Sequence, residues 1–297
     1  MAACSKVAAW VAASRPRTLV ASLSPVCIGA SLALREVDEV SWILVCLCLA
    51  FAMFMQVGAN FANDYYDFVK GADDERRLGP ARSVASGVVS PFVMRMAGFG
   101  TLALGFAFGL LLMELSGAGW SLLWVGVASV FCAWAYTAGP WPLAYLGLGD
   151  VFVVLFFGLV ATGVTHYVLV HQAGLDWIPV WWAGLAVGLI VNNLLVVNNH
   201  RDAEEDVACG KRTLVARFGR KFGVVLYLVG SCLALGFCPW HERGLLWTAW
   251  LLPVALFLGL LLNKAKNQKD YAKLLGRSAA LVIAHCILAV AGLLILR

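Results

Sequence analysis

Charge is what this 297-residue chain has least of. Asp, Glu, Lys and Arg make up 13% of it, against about 25% in an ordinary soluble domain. Hydrophobic residues make up 62%, and mean hydropathy is +0.84. That balance excludes a soluble globular domain, a disordered chain and a nucleic-acid binder. The nine cysteines include no C-x-x-C pair and no Cys/His cluster with zinc spacing. Most lie inside apolar runs, where a thiol behaves as a small buried hydrophobe. The five histidines form no H-x-x-x-H or H-E-x-x-H pattern, so a histidine metal site has no support. A cleavable signal is not expected either, because Arg15 and Arg17 interrupt the short apolar stretch after Lys6.

Long apolar runs are abundant. Stretches of spanning or near-spanning length fall at about 18–34, 42–62, 92–113, 119–138, 147–170, 177–198, 222–238, 245–262 and 279–296. They predict an all-α, multi-pass membrane bundle of about nine transmembrane helices, a single domain over 1–297. Two longer polar loops interrupt it, at about 63–91 and 199–222. The bases test this topology. With the N-terminus in the cytoplasm, 19 of the 22 Lys and Arg fall on the cytoplasmic side, and only Arg35, Arg243 and Arg297 do not. Cytoplasmic loops carry such an excess, so the expected location is a bacterial inner membrane with both polar loops facing the cytoplasm. Trp141, Trp177, Trp181 and Trp182 suit an interfacial aromatic belt.

The acids are sorted too. Nine of the 17 sit in the two polar loops: Asp64, Asp67, Asp73, Asp74 and Glu75 in the first, Asp202, Glu204, Glu205 and Asp206 in the second. Each cluster follows a hydrophobic helix. Asn63 and Asp67 are four apart, as are Asn198, Asp202 and Asp206, so each set stacks on one helix face. Gly71 is placed to end the first helix and let Asp73 return from the loop. Facing carboxylate clusters repel unless cations lie between them. Mg²⁺ takes one or two carboxylates and completes its shell with phosphate and water. Lys70, Arg82, Lys211 and Arg212 beside the acids suit the outer oxygens of a diphosphate. An apolar cavity beneath such a site would take the lipid tail of a phosphorylated head group.

At these residues the chain resembles the UbiA superfamily of intramembrane aromatic prenyltransferases. It is most similar to the MenA branch, the 1,4-dihydroxy-2-naphthoate polyprenyltransferases. The first motif is N63-D64-Y-Y-D67-F-V-K70-G71-A-D73, followed by G79-P80-A-R82. The second is N198-N199-H-R201-D202-A-E-E-D206-V-A-C-G210-K211-R-T213. S-R15-P-R17-T-L, with P25-V-x-x-G29, and Y136-T-A-G-P-x-P-L-A-Y-L-G-L-G-D150 are also similar. The likeness runs from about residue 14 to 220. The six-residue step from Asp67 to Asp73 departs from the general superfamily spacing of four, as the MenA branch does.

The resemblance implies a nine-helix bundle around a central cavity open to the lipid. It also implies Mg²⁺-dependent transfer of a polyprenyl group from its diphosphate to 1,4-dihydroxy-2-naphthoate, with decarboxylation to demethylmenaquinone. By motif position, Asn63, Asp64, Asp67, Asp73, Asn198, Asp202 and Asp206 hold one or two Mg²⁺ ions. Among them Asp67, Asp73, Asp202 and Asp206 are the catalytic set. Lys70, Arg82, Lys211 and Arg212 grip the diphosphate. Tyr65, Tyr66 or Tyr136 would shield an allylic cation, and Arg17 would meet the acceptor carboxylate. The partners implied are the polyprenyl diphosphate, the naphthoate and the bilayer, with no nucleic acid. Alternatives are a related prenyltransferase acting on 4-hydroxybenzoate, homogentisate or a chlorin, or an ion- or proton-coupled transporter using its membrane acids.

Overall fold

The structure, a computed structural model, describes residues 6–71 and 82–296. Among these, every regular element is helical. Asp73, Asp74, Glu75, Gly79 and Pro80 of the first motif lie outside the described residues.

The elements run α1 (Lys6–Ser14), α2 (Val20–Glu36), α3 (Trp42–Val69), α4 (Pro91–Ser116), α5 (Gly119–Ala135) and α6 (Gly149–Gln172). They continue as α7 (Trp181–Arg201), α8 (Ala203–Ala208), α9 (Leu214–Phe218), α10 (Arg220–His241), α11 (Arg243–Leu262) and α12 (Gln268–Ile295). Among the described residues seven helices are long and apolar enough to cross a membrane: α3, α4, α6, α7, α10, α11 and α12. The α1–α2 pair, bent by 46°, would be an eighth, and α5 is an apolar helix of 17 residues. These segments fall on the nine predicted runs.

Two boundaries differ from the hydropathy pattern, for one reason. Helix α3 continues to Val69, and α12 starts at Gln268 rather than near 279. A polar residue ends a hydropathic run without ending a helix whose backbone bonds are made internally. In α3 the Asn63, Asp64 and Asp67 side chains find protein partners, so the helix carries the first motif past the apolar stretch. Gly71, with φ of +69°, then ends it as expected. Between α1 and α2, Arg15 has φ of +53°, a left-handed conformation unfavourable for a residue with a Cβ. Pro16 follows it and disfavours the helical region for Arg15.

Helix α7 is the most buried of the seven spans. One core cluster joins α2, α7, α10, α11 and α12 around Ile190, Tyr227 and Leu235. A second joins α2 to α3, α4, α5 and α6 around Ile-free contacts of Val26, Leu44, Leu112 and Val168. Helix α6 widens into a π-helix over Val154–Val160, a local form common near functional sites. There Gly158 meets α7 backbone to backbone: a Cβ on it would lie 2.5 Å from the Gly184 carbonyl oxygen and 2.7 Å from the Gly188 Cα. Backbone cannot yield as a side chain can. Gly158→Leu is therefore expected to destabilise the fold by about 1–3 kcal/mol or more, read as a lower unfolding temperature in detergent. Gly100→Leu, where nothing lies within 4 Å, should leave it unchanged.

Candidate active site

Between α2 and α7 lies a cavity of about 740 Å³. Its polar end collects both motifs: Asn63, Asp64, Asp67, Arg82, Asn198, Asn199, Arg201, Asp202, Asp206, Lys211 and Thr213 all line it. Below, the wall is apolar, with Phe51, Met55, Phe106, Leu112, Leu122, Phe156 and Val164. Asp67 and Cys48, both on α3 and both on the wall, are about 28 Å apart at 1.5 Å per residue. The hydrocarbon core of a bilayer is about 30 Å thick, so the cavity reaches across most of it.

Tyr145, in the loop between α5 and α6, joins the polar groups. Its hydroxyl donates to Asp67 Oδ1 at 3.1 Å, and its ring lies 4.3 Å from Lys70 Nζ and 5.5 Å from Lys211 Nζ. Such cation–π contacts hold an ammonium in place. Arg82 reaches Asp67 Oδ2 at 3.3 Å. From the second motif, Thr213 donates to Asp206 Oδ2 at 3.3 Å, and Lys211 Nζ lies 3.8 Å from Asp206 Oδ1. Arg201 grips Asp202 with two hydrogen bonds, Nε at 2.5 Å and a terminal nitrogen at 2.7 Å. The expected one-face stacking survives the end of α7, since Asp202 N donates to Asn198 O and Asp206 N to Asp202 O.

Electrostatics tie the two motifs together. Burial pushes the Asp206 carboxyl up to about 6, aided by Asp202 and Asp67 and opposed by Lys211. Burial also opposes the charge on Lys211, but the Asp67 and Asp206 carboxylates outweigh it and hold its ammonium above the usual lysine range. Lys70 moves the other way, lowered chiefly by burial.

The predicted residues do not all meet. Asn63 Oδ1 accepts from the Thr137 hydroxyl at 2.8 Å and stays on the wall. Asp64 differs from the sequence expectation. Its oxygens accept from the backbone N–H groups of Ser83 and Val84, so it clamps the segment that carries Arg82. Lys70 donates to the Thr137 carbonyl at 2.6 Å and does not line the cavity. Arg212 is exposed and outside the cavity wall. Tyr65 packs with Phe61 and Trp10, and Tyr66 accepts from Trp134 Nε1; neither reaches the wall. Tyr136 does reach it. Arg17 is exposed and Arg15 half-buried, and both line the cavity. Sequence reasoning missed Arg15, Tyr145, Arg201 and Thr213 as site residues. Their only signal was membership of the matching stretches around 15, 145 and 201–213.

These oxygen donors suit a hard divalent cation. Among the described residues no three His, Cys, Asp or Glu side chains form a group able to hold a metal by themselves. Mg²⁺ typically takes one or two carboxylates and completes its shell with phosphate and water.

The sequence profile of the UbiA prenyltransferase family matches residues 22–281, which span both motifs and most of the cavity wall. The chain belongs to the UbiA prenyltransferase family. It is an integral membrane protein, as its apolar helices require. Within the UbiA family it is 35% identical over 294 residues to the 1,4-dihydroxy-2-naphthoate octaprenyltransferase of Mycobacterium tuberculosis, covering 97% of each chain. It is 31% identical over 265 residues to the Haemophilus influenzae protein of that name, covering 84% of this chain and 83% of that one. The fold is that of a UbiA homologue from Archaeoglobus fulgidus, solved bound to GPP and Mg²⁺. That likeness has a TM-score of 0.63 at 15% identity, over 95% of this chain and 99% of that one.

Proposed function

We propose that this UbiA-family chain transfers a polyprenyl group from its diphosphate to 1,4-dihydroxy-2-naphthoate, releasing CO₂ and diphosphate and forming demethylmenaquinol, the reduced form of demethylmenaquinone. The observation that carries the reading is the meeting of two carboxylate motifs, with Lys211 and Arg82, at one end of a deep apolar cavity. The names of the two 1,4-dihydroxy-2-naphthoate octaprenyltransferases it resembles supply the acceptor. The position of the acids argues against a transporter, whose ion sites lie near the midplane.

Asn63, Asp67, Asn198, Asp202 and Asp206 line the cavity as oxygen donors for one or two Mg²⁺ ions, and Asp73 joins them by motif position. When bound, the divalent ions neutralise charge on the leaving diphosphate. Arg82 and Lys211 sit between the acids and meet its outer oxygens. Lys70 acts one step back, against the Tyr145 ring that orients Asp67. Arg212 drops out of this set. Tyr136 faces the cavity and is the tyrosine placed to shield an allylic cation. Arg15 replaces Arg17 as the cation nearest the acceptor carboxylate. Its strained backbone, of a kind that gathers at ligand-binding positions, supports that assignment. The base asymmetry supports a bacterial inner membrane location with the N-terminus cytoplasmic.

Mass spectrometry of the product from 1,4-dihydroxy-2-naphthoate, octaprenyl diphosphate and Mg²⁺ tests the reading. A prenylated, decarboxylated product is expected. Product from 4-hydroxybenzoate or homogentisate alone would redirect it.

Asp206 sets a pH dependence. In the folded chain without metal it keeps its proton up to about 6, against an ordinary 3.8. The folded state therefore binds more protons between those values, and this group makes the metal-free fold less stable as pH rises through that window. Metal must displace the same proton. Mg²⁺ affinity is thus expected to fall by about tenfold per pH unit below 6, and Asp206→Asn should flatten that slope in a metal titration.

A further inference from the structure

One acid on the cavity wall has no place in the scheme so far. Asp150, in the first turn of α6, is 5% exposed and lines the cavity. Its side-chain partner is a neutral amide: Asn192 Nδ2 donates to Asp150 Oδ1 at 3.1 Å. Among the described residues no basic side chain forms an ion pair with it. The first turn of a helix favours an acid, but an exposed one would serve that purpose without burial. Asn192 gives up its own bonding to hold this carboxylate, for its Oδ1 is buried with no partner. Leaving a buried acceptor without a partner is costly and uncommon in native folds.

The surroundings define what the carboxylate would meet. Gly149 abuts the Tyr136 hydroxyl, which lies 2.9 Å from where a Cβ on that glycine would stand. Tyr136, Gly149 and Asp150 thus form one polar spot on the wall, with Leu194 and Leu195 beside it and Arg15 on the same cavity. A diphosphate would be repelled by this carboxylate, whose side-chain partner is the neutral Asn192 amide and not a base. An aromatic ring carrying a hydroxyl fits: apolar faces against leucines, an O–H donor against the carboxylate.

Resting on the proposed prenyl transfer, we infer that Asp150 is a catalytic residue that accepts the hydrogen bond of the acceptor's ring hydroxyl and raises the ring's nucleophilicity. The acceptor carbon bonds to C1 of the prenyl group as the C1–O bond breaks and the diphosphate leaves with the electron pair. The hydroxyl beside that carbon passes its proton to Asp150 and becomes a ketone. Loss of CO₂ returns the C–C electron pair to the ring, and the proton returns to the oxygen. No net proton is gained or lost, so one carboxylate suffices. Proton transfer to a positioned base contributes typically 10²–10⁴-fold in rate.

Asp150→Asn tests it, because the new amide oxygen keeps the Asn192 bond and the shape of the site. The full-length variant is compared with the parent chain in detergent with Mg²⁺ and geranyl diphosphate. Acceptors are 1,4-dihydroxy-2-naphthoate and its 1-methoxy analogue, and geranyl diphosphate binding is measured separately. The expected result is a loss of roughly 10²-fold in kcat, unchanged geranyl diphosphate affinity, and collapse of the parent's preference for the free hydroxyl. Asp150→Glu should recover part of the rate. Activity within twofold of the parent, a persistent preference for the hydroxyl, or a parallel loss of geranyl diphosphate binding would each overturn the inference. If the parent chain prenylates a different phenol instead, the naphthoate reading fails. The Asp150 effect is then read on that phenol and its methyl ether. A parent chain inactive on every phenol would end both.

Discussion

Asp67→Asn and Asp202→Asn are each expected to lower prenyl transfer by about 10²–10³-fold, the usual loss when one stabiliser of developing negative charge is removed. The amide keeps the size of the side chain, so the fold should persist. Its charge and half of its acceptor capacity go. At Asp67 the new NH₂ also faces donors, because Tyr145 and Arg82 both give hydrogen bonds to that carboxylate. At Asp202 it faces the Arg201 guanidinium. Chelation of divalent metal should match either variant. Asp64→Asn is the contrast. It weakens a clamp on the Ser83 and Val84 amides, so it should act through stability and leave most of kcat. The measurement is single-turnover transfer in purified protein whose unfolding temperature is checked in parallel. Full activity in Asp67→Asn or Asp202→Asn would falsify the two-motif site.

The second large effect concerns the tail. Gly126→Phe is expected to leave transfer from geranyl diphosphate within a few-fold of the parent and to cut transfer from octaprenyl diphosphate by roughly tenfold to a hundredfold. Gly126 lines the cavity on α5, about 15 Å along the helix from Tyr136. A short tail ends before that depth, and one four times as long passes it. A Cβ there would only touch the Phe106 ring, at 3.6 Å, so a small side chain fits, while a benzyl group projects into the space the tail fills. Overpacking costs about 1–3 kcal/mol, and each 1.4 kcal/mol is tenfold. Kinetics with both donors decide it. Equal loss on both would mean that the tail runs elsewhere.

Much of this molecule was legible along the chain. Scarce charge and long apolar runs specify a membrane bundle because lipid admits only backbones that satisfy their own hydrogen bonds. The i, i+4 spacing of Asn63 with Asp67, and of Asn198 with Asp202 and Asp206, specifies shared faces because a helix turns every 3.6 residues. Gly71 ended its helix as expected because only glycine takes a positive φ without strain. All of these are local rules. What stands opposite each face is not local. Tyr145 meets Asp67 across 78 positions of chain, and Lys70 meets Thr137 across 67. Asp64 is one residue from Asn63, yet it turns to the loop at 83–84. Arg212 is one residue from Lys211, yet it points to solvent. Nothing local to the chain sets Asp150 apart, and the fold places it with Tyr136 on the cavity wall. The sequence by itself determined the membrane, the helices and the two carboxylate motifs, since periodicity and hydropathy carry that information. Only the tertiary structure decided which of those side chains share the cavity, because that depends on helices brought together from far apart in the chain.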